Sequence, residues 1–138
     1  MDQSNVELIL LSFNAIRSQN PEELEKANEF LTNIYSAPVF NEFGIIASSN
    51  EDPYNRFFAI ISIKRSFLMR NDISPDELVF LKGFIIQYIL SEKIEQNCEF
   101  MISFGCSLAN RALQEKESLF SQVFDGFQID LIQAAIQT

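Results

Sequence analysis

The stretch Asn20-Pro21-Glu22-Glu23-Leu24-Glu25-Lys26-Ala27 reads as the opening of a helix. An asparagine side chain accepts bonds from the orphan amides of a first helical turn. Proline at the first helical position gives up an N–H that has no partner there. Acids in the first turns face the positive end of the helix dipole. The pattern returns at Asp52-Pro53 and at Ser74-Pro75-Asp76-Glu77, where Ser74 and Glu77 fit a capping box. Ala37-Pro38 is a weaker copy, with no capping side chain directly before the proline. All four prolines are therefore read as helix starts. Pro21 and Pro53 are 32 residues apart, and Pro38 and Pro75 are 37 apart. That interval is the period of a helix-pair repeat, so the expected fold is all-α, with antiparallel helix pairs stacked as an α-solenoid.

The apolar pattern agrees. Leu24, Ala27, Phe30, Leu31, Ile34 and Tyr35 recur in steps of three and four, which predicts an amphipathic helix over 21–36. A dense apolar segment over 6–17 predicts a helix buried on a wide face or capping an array. A shorter helix is expected over 38–47, and the polar run Ser48-Ser49-Asn50-Glu51-Asp52 reads as a loop. The segment 53–70 is apolar nearly all round and should lie between neighbours. Further helices are expected over 75–91 and 93–113. Two shorter pieces, 117–124 and 129–136, split near Asp125-Gly126. Gly83 lies inside a helix, where it costs about 1 kcal/mol against alanine, and so marks a candidate for close helix packing. Gly105 is also placed mid-helix. Short connections predict that consecutive helices are antiparallel neighbours. The stripe Leu131, Ile132, Ala135 and Ile136 runs almost to the last residue without a polar cap. Either it folds back or the chain is the first piece of a longer array, and the need of solenoids for polar end caps favours the array. The chain, residues 1–138, is read as one α-helical repeat domain.

Composition narrows the function. With 47% hydrophobic residues in 138, the chain can bury a core. A formal charge of −9 argues against a nucleic-acid footprint and favours basic partners. The absence of histidine removes the commonest general base and the commonest metal ligand. With two cysteines, no metal site is expected. If Cys98 and Cys106 share a helix they lie ~12 Å apart along its axis, too far for a disulfide. Both are read as small buried hydrophobes, and reduced thiols suit the cytosol or nucleus. Met1-Asp2-Gln3-Ser4 lacks the basic start of a signal peptide, and the apolar run 79–90 is short of a membrane span, so the protein is expected to be soluble, without a membrane partner. No Gly-rich phosphate loop or nucleophile motif is present, so no enzyme and no cofactor are expected.

Between Asn20 and Leu68 the residues become specific enough to name a family. Pro21, Glu22, Glu25, Lys26, Ala27, Glu29 and Leu31 are followed by Pro38 and Phe40, and then by Arg56, Ala59, Ile61, Ile63 and Lys64. This order resembles the N-terminal domain of importin-β-type nuclear transport receptors, the karyopherins. The departures are Asn28 where the family usually has Glu, Arg65 where Asn is common, and the lack of a Trp a few residues later. The match covers about a third of the chain, and its motifs are packing signatures. The resemblance implies HEAT repeats, here about three with the start of a fourth. It also implies a binding function: part of a site for the small GTPase Ran in its GTP form, with protein cargo and Phe-Gly nucleoporins as further partners, in cytoplasm and nucleus. The alternative is a HEAT-like scaffold or regulatory helical protein with no Ran link, and a third reading is a small stand-alone helical protein.

Pro21, Ala27, Leu31, Pro38, Phe40, Arg56, Ala59 and Lys64 carry the resemblance. Arg56 is expected to bond to an acid or a turn in the adjoining repeat, since a buried guanidinium needs such a partner. Lys64 and Arg65, with Arg70 beyond them, form the strongest local basic group. They are either partner-binding residues or charged stems on the wet side of a helix. Glu22, Glu23, Glu25 and Glu29 form an acidic face that either attracts a basic partner or is simply solvated. The fourteen phenylalanines are expected mostly in the core, with any exposed ones free to dock peptides.

Overall fold

A computed structural model describes residues 3–138. The reading of Met1 and Asp2 as part of a start without basic residues lies outside the described residues. Among the described residues eight helices follow one another: α1 (Gln3–Ser18), α2 (Pro21–Tyr35), α3 (Phe40–Ser49), α4 (Pro53–Met69), α5 (Pro75–Ser91), α6 (Glu95–Gln114), α7 (Leu119–Val123) and α8 (Phe127–Ile136). No strand occurs among the described residues.

Three prolines occupy the first helical position, and each cap forms as its residues require. Asn20 accepts from the amides of Glu22 and Glu23 at 3.0 and 3.2 Å. Asp52 accepts from Tyr54 N at 2.9 Å. Ser74 and Glu77 exchange both bonds of a capping box. Pro38 corrects the expectation. It stands two residues before α3, whose N-cap Val39 offers no side-chain bond. Without a polar side chain at position 37, the helix begins only where Phe40 can be buried.

The chain divides into two compact units, 1–72 and 73–138. In the first, α1 packs on α2 and α3 on α4. A two-residue connection makes α1 and α2 antiparallel. The second pair lies on the first, α3 against α1 and α2 against α4, whereas the consecutive helices α2 and α3 have no close backbone approach and meet through side chains, the rings of Tyr35 and Phe43 lying 6.1 Å apart. Close backbone packing of sequence neighbours therefore holds within these two pairs and not between α2 and α3. The core between the pairs is aromatic: Phe13 stacks on Phe58 with centroids 5.3 Å apart and lies 6.5 Å from Phe43. A polar contact also crosses from α2 to α4. Ser66 Oγ donates to Tyr35 O at 2.7 Å, and the Tyr35 hydroxyl lies 3.2 Å from Ser62 Oγ, with both serines fully buried. α4 touches all three other helices of the unit, as its apolar circumference predicts.

In the second unit α5 pairs with α6, and α7 and α8 each pack on both. α7 and α8 do not pair with each other, so the expected start of a fourth repeat does not form a hairpin. Glu92 organises the α5–α6 connection, accepting from the Tyr88 hydroxyl at 2.6 Å, from Lys93 N and Ile94 N, and from Asn97 Nδ2. Gly105 marks a close approach between helices. A Cβ there would lie 2.8 Å from Leu131 Cδ1 of α8 and 3.4 Å from Ile85 Cγ2 of α5. Gly83, the expected packing glycine, has no neighbour within 4 Å of such a Cβ.

Candidate functional site

Several charged residues of the first unit, Arg17, Asp52 and Arg56 among them, meet at the α3–α4 loop. Arg56, one turn into α4, donates to the carbonyls of Asn50 and Glu51 at 2.9 and 3.1 Å. These carbonyls follow the last turn of α3, where the backbone leaves acceptors unpaired. Arg56 therefore closes the turn of its own pair, where an acid or turn of the adjoining repeat was expected.

A second bond between the pairs, besides Ser66 to Tyr35, is made by a residue that the sequence did not single out. Arg17, in the last turn of α1, donates to Asp52 Oδ2 at 2.6 Å. Its guanidinium also lies 4.2 Å from the centre of the Tyr54 ring, a favourable cation–π position. Asp52 thus serves two ends at once, capping α4 with one oxygen and holding α1 with the other. The Arg17 bond, helped by the Tyr54 amide, lowers the Asp52 pKa from its ordinary value. The local signals were a basic residue in a last turn and a capping acid. Their meeting across 35 positions is a product of stacking.

Lys64 is half-buried on α4 and Arg65 is exposed. As consecutive helical residues they point about 100° apart. Arg70 does not extend this pair. Its side chain is only 2% exposed, bonds to Asp72 at 3.1 Å and lies over the Phe40 ring at 5.5 Å. Of the other residues carrying the resemblance, Ala27, Leu31, Phe40 and Ala59 are buried, and Pro21 and Pro38 are exposed. Of the acids, Glu22, Glu25 and Glu29 share an exposed face in steps of three and four, whereas Glu23 turns toward α1 and accepts from Ser18 Oγ at 3.0 Å.

The two cysteines differ. Cys98 is buried, and its thiol donates to Glu92 O at 3.1 Å. Burial first, then the charge of Glu92, pushes its pKa up. Cys106, on the same helix, is exposed, contrary to expectation. Neither forms a disulfide.

None of the fourteen phenylalanines is fully exposed, and several, Phe30 among them, are half-buried. The exposed large apolar residues are mostly aliphatic, and Leu8, Leu11, Val79 and Leu90 line two shallow grooves. One, of about 530 Å³, lies between α1 and α2, with Leu8, Leu11 and Phe30 on its walls. The other, of about 560 Å³, lies between α5 and α8. Among the described residues no group of three His, Cys, Asp or Glu could hold a metal ion, and no helix is long and apolar enough to cross a membrane. No protein-family model, curated protein or solved structure matches the chain.

Proposed function

We propose that the chain is a non-enzymatic helical scaffold that works by presenting helix faces to protein partners. The observation that carries this reading is the stacking of the α1–α2 pair on the α3–α4 pair, tied by Arg17 to Asp52 and by Ser66 to Tyr35. Charged side chains such as Arg17, Asp52 and Arg56 lock turns and pairs together, and each groove mixes apolar walls with polar side chains. Such a surface suits recognition of an amphipathic segment better than stabilisation of a transition state. Discovery of catalytic turnover that a single surface substitution abolishes would overturn it.

A narrower form of the same reading is the N-terminal part of an importin-β-type transport receptor of HEAT repeats, shuttling between cytoplasm and nucleus and binding Ran-GTP, cargo and Phe-Gly nucleoporins. It is supported by the residues of the resemblance that sit at packing positions, Ala27, Leu31, Phe40 and Ala59. Under it, Lys64 and Arg65 meet acidic groups of the GTPase. Capture assays with Ran loaded with GTP or GDP test it. Binding selective for the GTP form, weakened by charge reversal at Lys64 and Arg65, is the expected result. Equal binding in both states, or none, leaves the general scaffold.

A further inference from the structure

The second unit carries apolar surface that its own core does not use, and it is arranged in matching parts. α8 buries Phe127, Leu131 and Ala134. On its opposite face Ile129, Ile132 and Ile136 are 56%, 57% and 78% exposed. Their spacing of three and four makes one stripe along the helix. α5 buries Leu78, Leu81, Ile85 and Ile89 and has a second stripe of its own: Val79, Gly83, Ile86 and Leu90, in steps of four, three and four. Val79 and Leu90 are exposed, and Ile86 is half-buried. The groove between α5 and α8 is walled by this α5 stripe and by Asp130, Gln133, Ala134 and Gln137 of α8.

Gly83 is the second observation. A glycine in the middle of a 17-residue helix costs about 1 kcal/mol of propensity against alanine, and here no internal contact requires it. It leaves the groove floor open where a foreign helix can come close to the α5 backbone.

We propose that a second copy of this chain fills this groove, with the Ile129–Ile132–Ile136 stripe of each copy laid into the α5–α8 groove of the other about a two-fold axis. Two arguments select this occupant. First, one unit offers both a groove and a stripe to fill it, so a single symmetric contact buries both. Second, the charges permit it. Each chain carries −9, so a random face-to-face encounter is repulsive. On the groove walls, however, the charged side chains are Lys82 and Asp130, one of each sign, and the rest of the polar wall is the neutral amides of Gln87, Gln133 and Gln137. Joining through this face therefore adds no net repulsion from the groove walls. A contact of two helices per copy falls at the small end of stable interfaces, so the dimer is weak and in rapid exchange.

The test is sedimentation velocity on the whole chain over a range of concentrations, with helical circular dichroism to confirm folding. The wild type is expected to pass from monomer to dimer with a midpoint of roughly 100 μM, and no larger species. Ile132→Glu places a charge in the stripe at a site already more than half exposed, and is expected to weaken association at least about tenfold. Gly83→Leu fills the groove floor where there is open space, and is expected to do the same while the monomer folds as well as before. Leu113→Glu, on α6 and also exposed, is expected to leave association unchanged. A wild type that stays monomeric to about 1 mM overturns the proposal. So does a dimer indifferent to both Ile132→Glu and Gly83→Leu, or a ladder of open-ended oligomers in place of one dimer.

Discussion

Asp52 shows how much one side chain does here. Its Oδ1 caps α4 and its Oδ2 holds Arg17, and that arginine also covers Tyr54. The linkage sign follows from the lowered pKa. A carboxyl whose folded pKa lies below its unfolded value stabilises the fold above the unfolded pKa, about 3.9. That contribution is lost as pH falls through the lower folded value. Asp52→Asn keeps a good cap but cannot form the ion pair. Urea titrations from neutral to strongly acid pH should therefore show lower stability for the variant near neutrality and a gap that closes in acid. A gap independent of pH would place the effect in capping alone. High salt should narrow the neutral-pH gap as well, because the pair is solvent-exposed. The capping half of Asp52 was legible in the dipeptide Asp52-Pro53, which is a local pattern. The Arg17 half was not, because partner choice across 35 positions depends on how two helix pairs stack. Arg70 teaches the same lesson in reverse. In sequence it extends a basic pair, and in the fold it is buried beside Phe40.

Helix boundaries were legible wherever a proline followed a capping side chain. α2 and α4 begin at the expected residues, and α5 spans its predicted range. Pro38 misled because proline fixes φ without supplying the missing acceptor, and Val39 supplies none either. The glycines were legible as exceptions but not as roles. Helical periodicity puts both Gly83 and Gly105 inside helices and is silent on which faces a neighbour. Alanine substitutions separate them. Gly83→Ala should raise stability by about 0.5–1 kcal/mol, since the new methyl meets nothing and the helix gains propensity. Gly105→Ala gains the same propensity but drives a methyl into the buried Leu131 side chain, so the net effect should be a loss of about 1 kcal/mol. Thermal or urea unfolding of the two variants checks both signs, and equal shifts would contradict the close approach of α6 and α8. Between helix pairs the serines Ser62 and Ser66 act as a spacer and a clasp, small enough for α2 to approach and polar enough to bind Tyr35. Ser66→Ala should cost about 1 kcal/mol by leaving the Tyr35 carbonyl without its buried donor, whereas exposed Ser48→Ala should cost close to nothing. In sequence these serines are two polar interruptions of an apolar helix. Only the packing of α4 against the other helices of its unit makes them contacts.

For the whole molecule, charge and apolar surface act at different ranges. The net −9 sets a long-range field that keeps copies apart and draws basic partners, and this much is plain from composition. Which patch escapes that field is a matter of folding. The C-terminal stripe, read from sequence as one surface, divides: Leu131 turns inward while Ile132 and Ile136 stay outside, joined by Ile129 from the preceding turn. Because α8 lies on both α5 and α6, its outer stripe comes to border a groove with balanced charge. The consequence is an unusual salt response for self-association. An interface held by ion pairs weakens as salt screens them. Here the attraction is apolar and the opposing force is the mutual repulsion of two acidic chains, so screening removes the unfavourable part. Raising ionic strength from about 20 mM to about 300 mM shortens the Debye length from roughly 20 Å to roughly 6 Å. Over that range the dimerisation constant should rise severalfold, whereas binding of a basic partner to the Glu22–Glu25–Glu29 face should fall. Sedimentation at several salt concentrations reads the first effect and titration with a lysine-rich peptide the second. A dimerisation constant that falls with salt would mean that charged contacts, and not the isoleucine stripe, hold the two copies together.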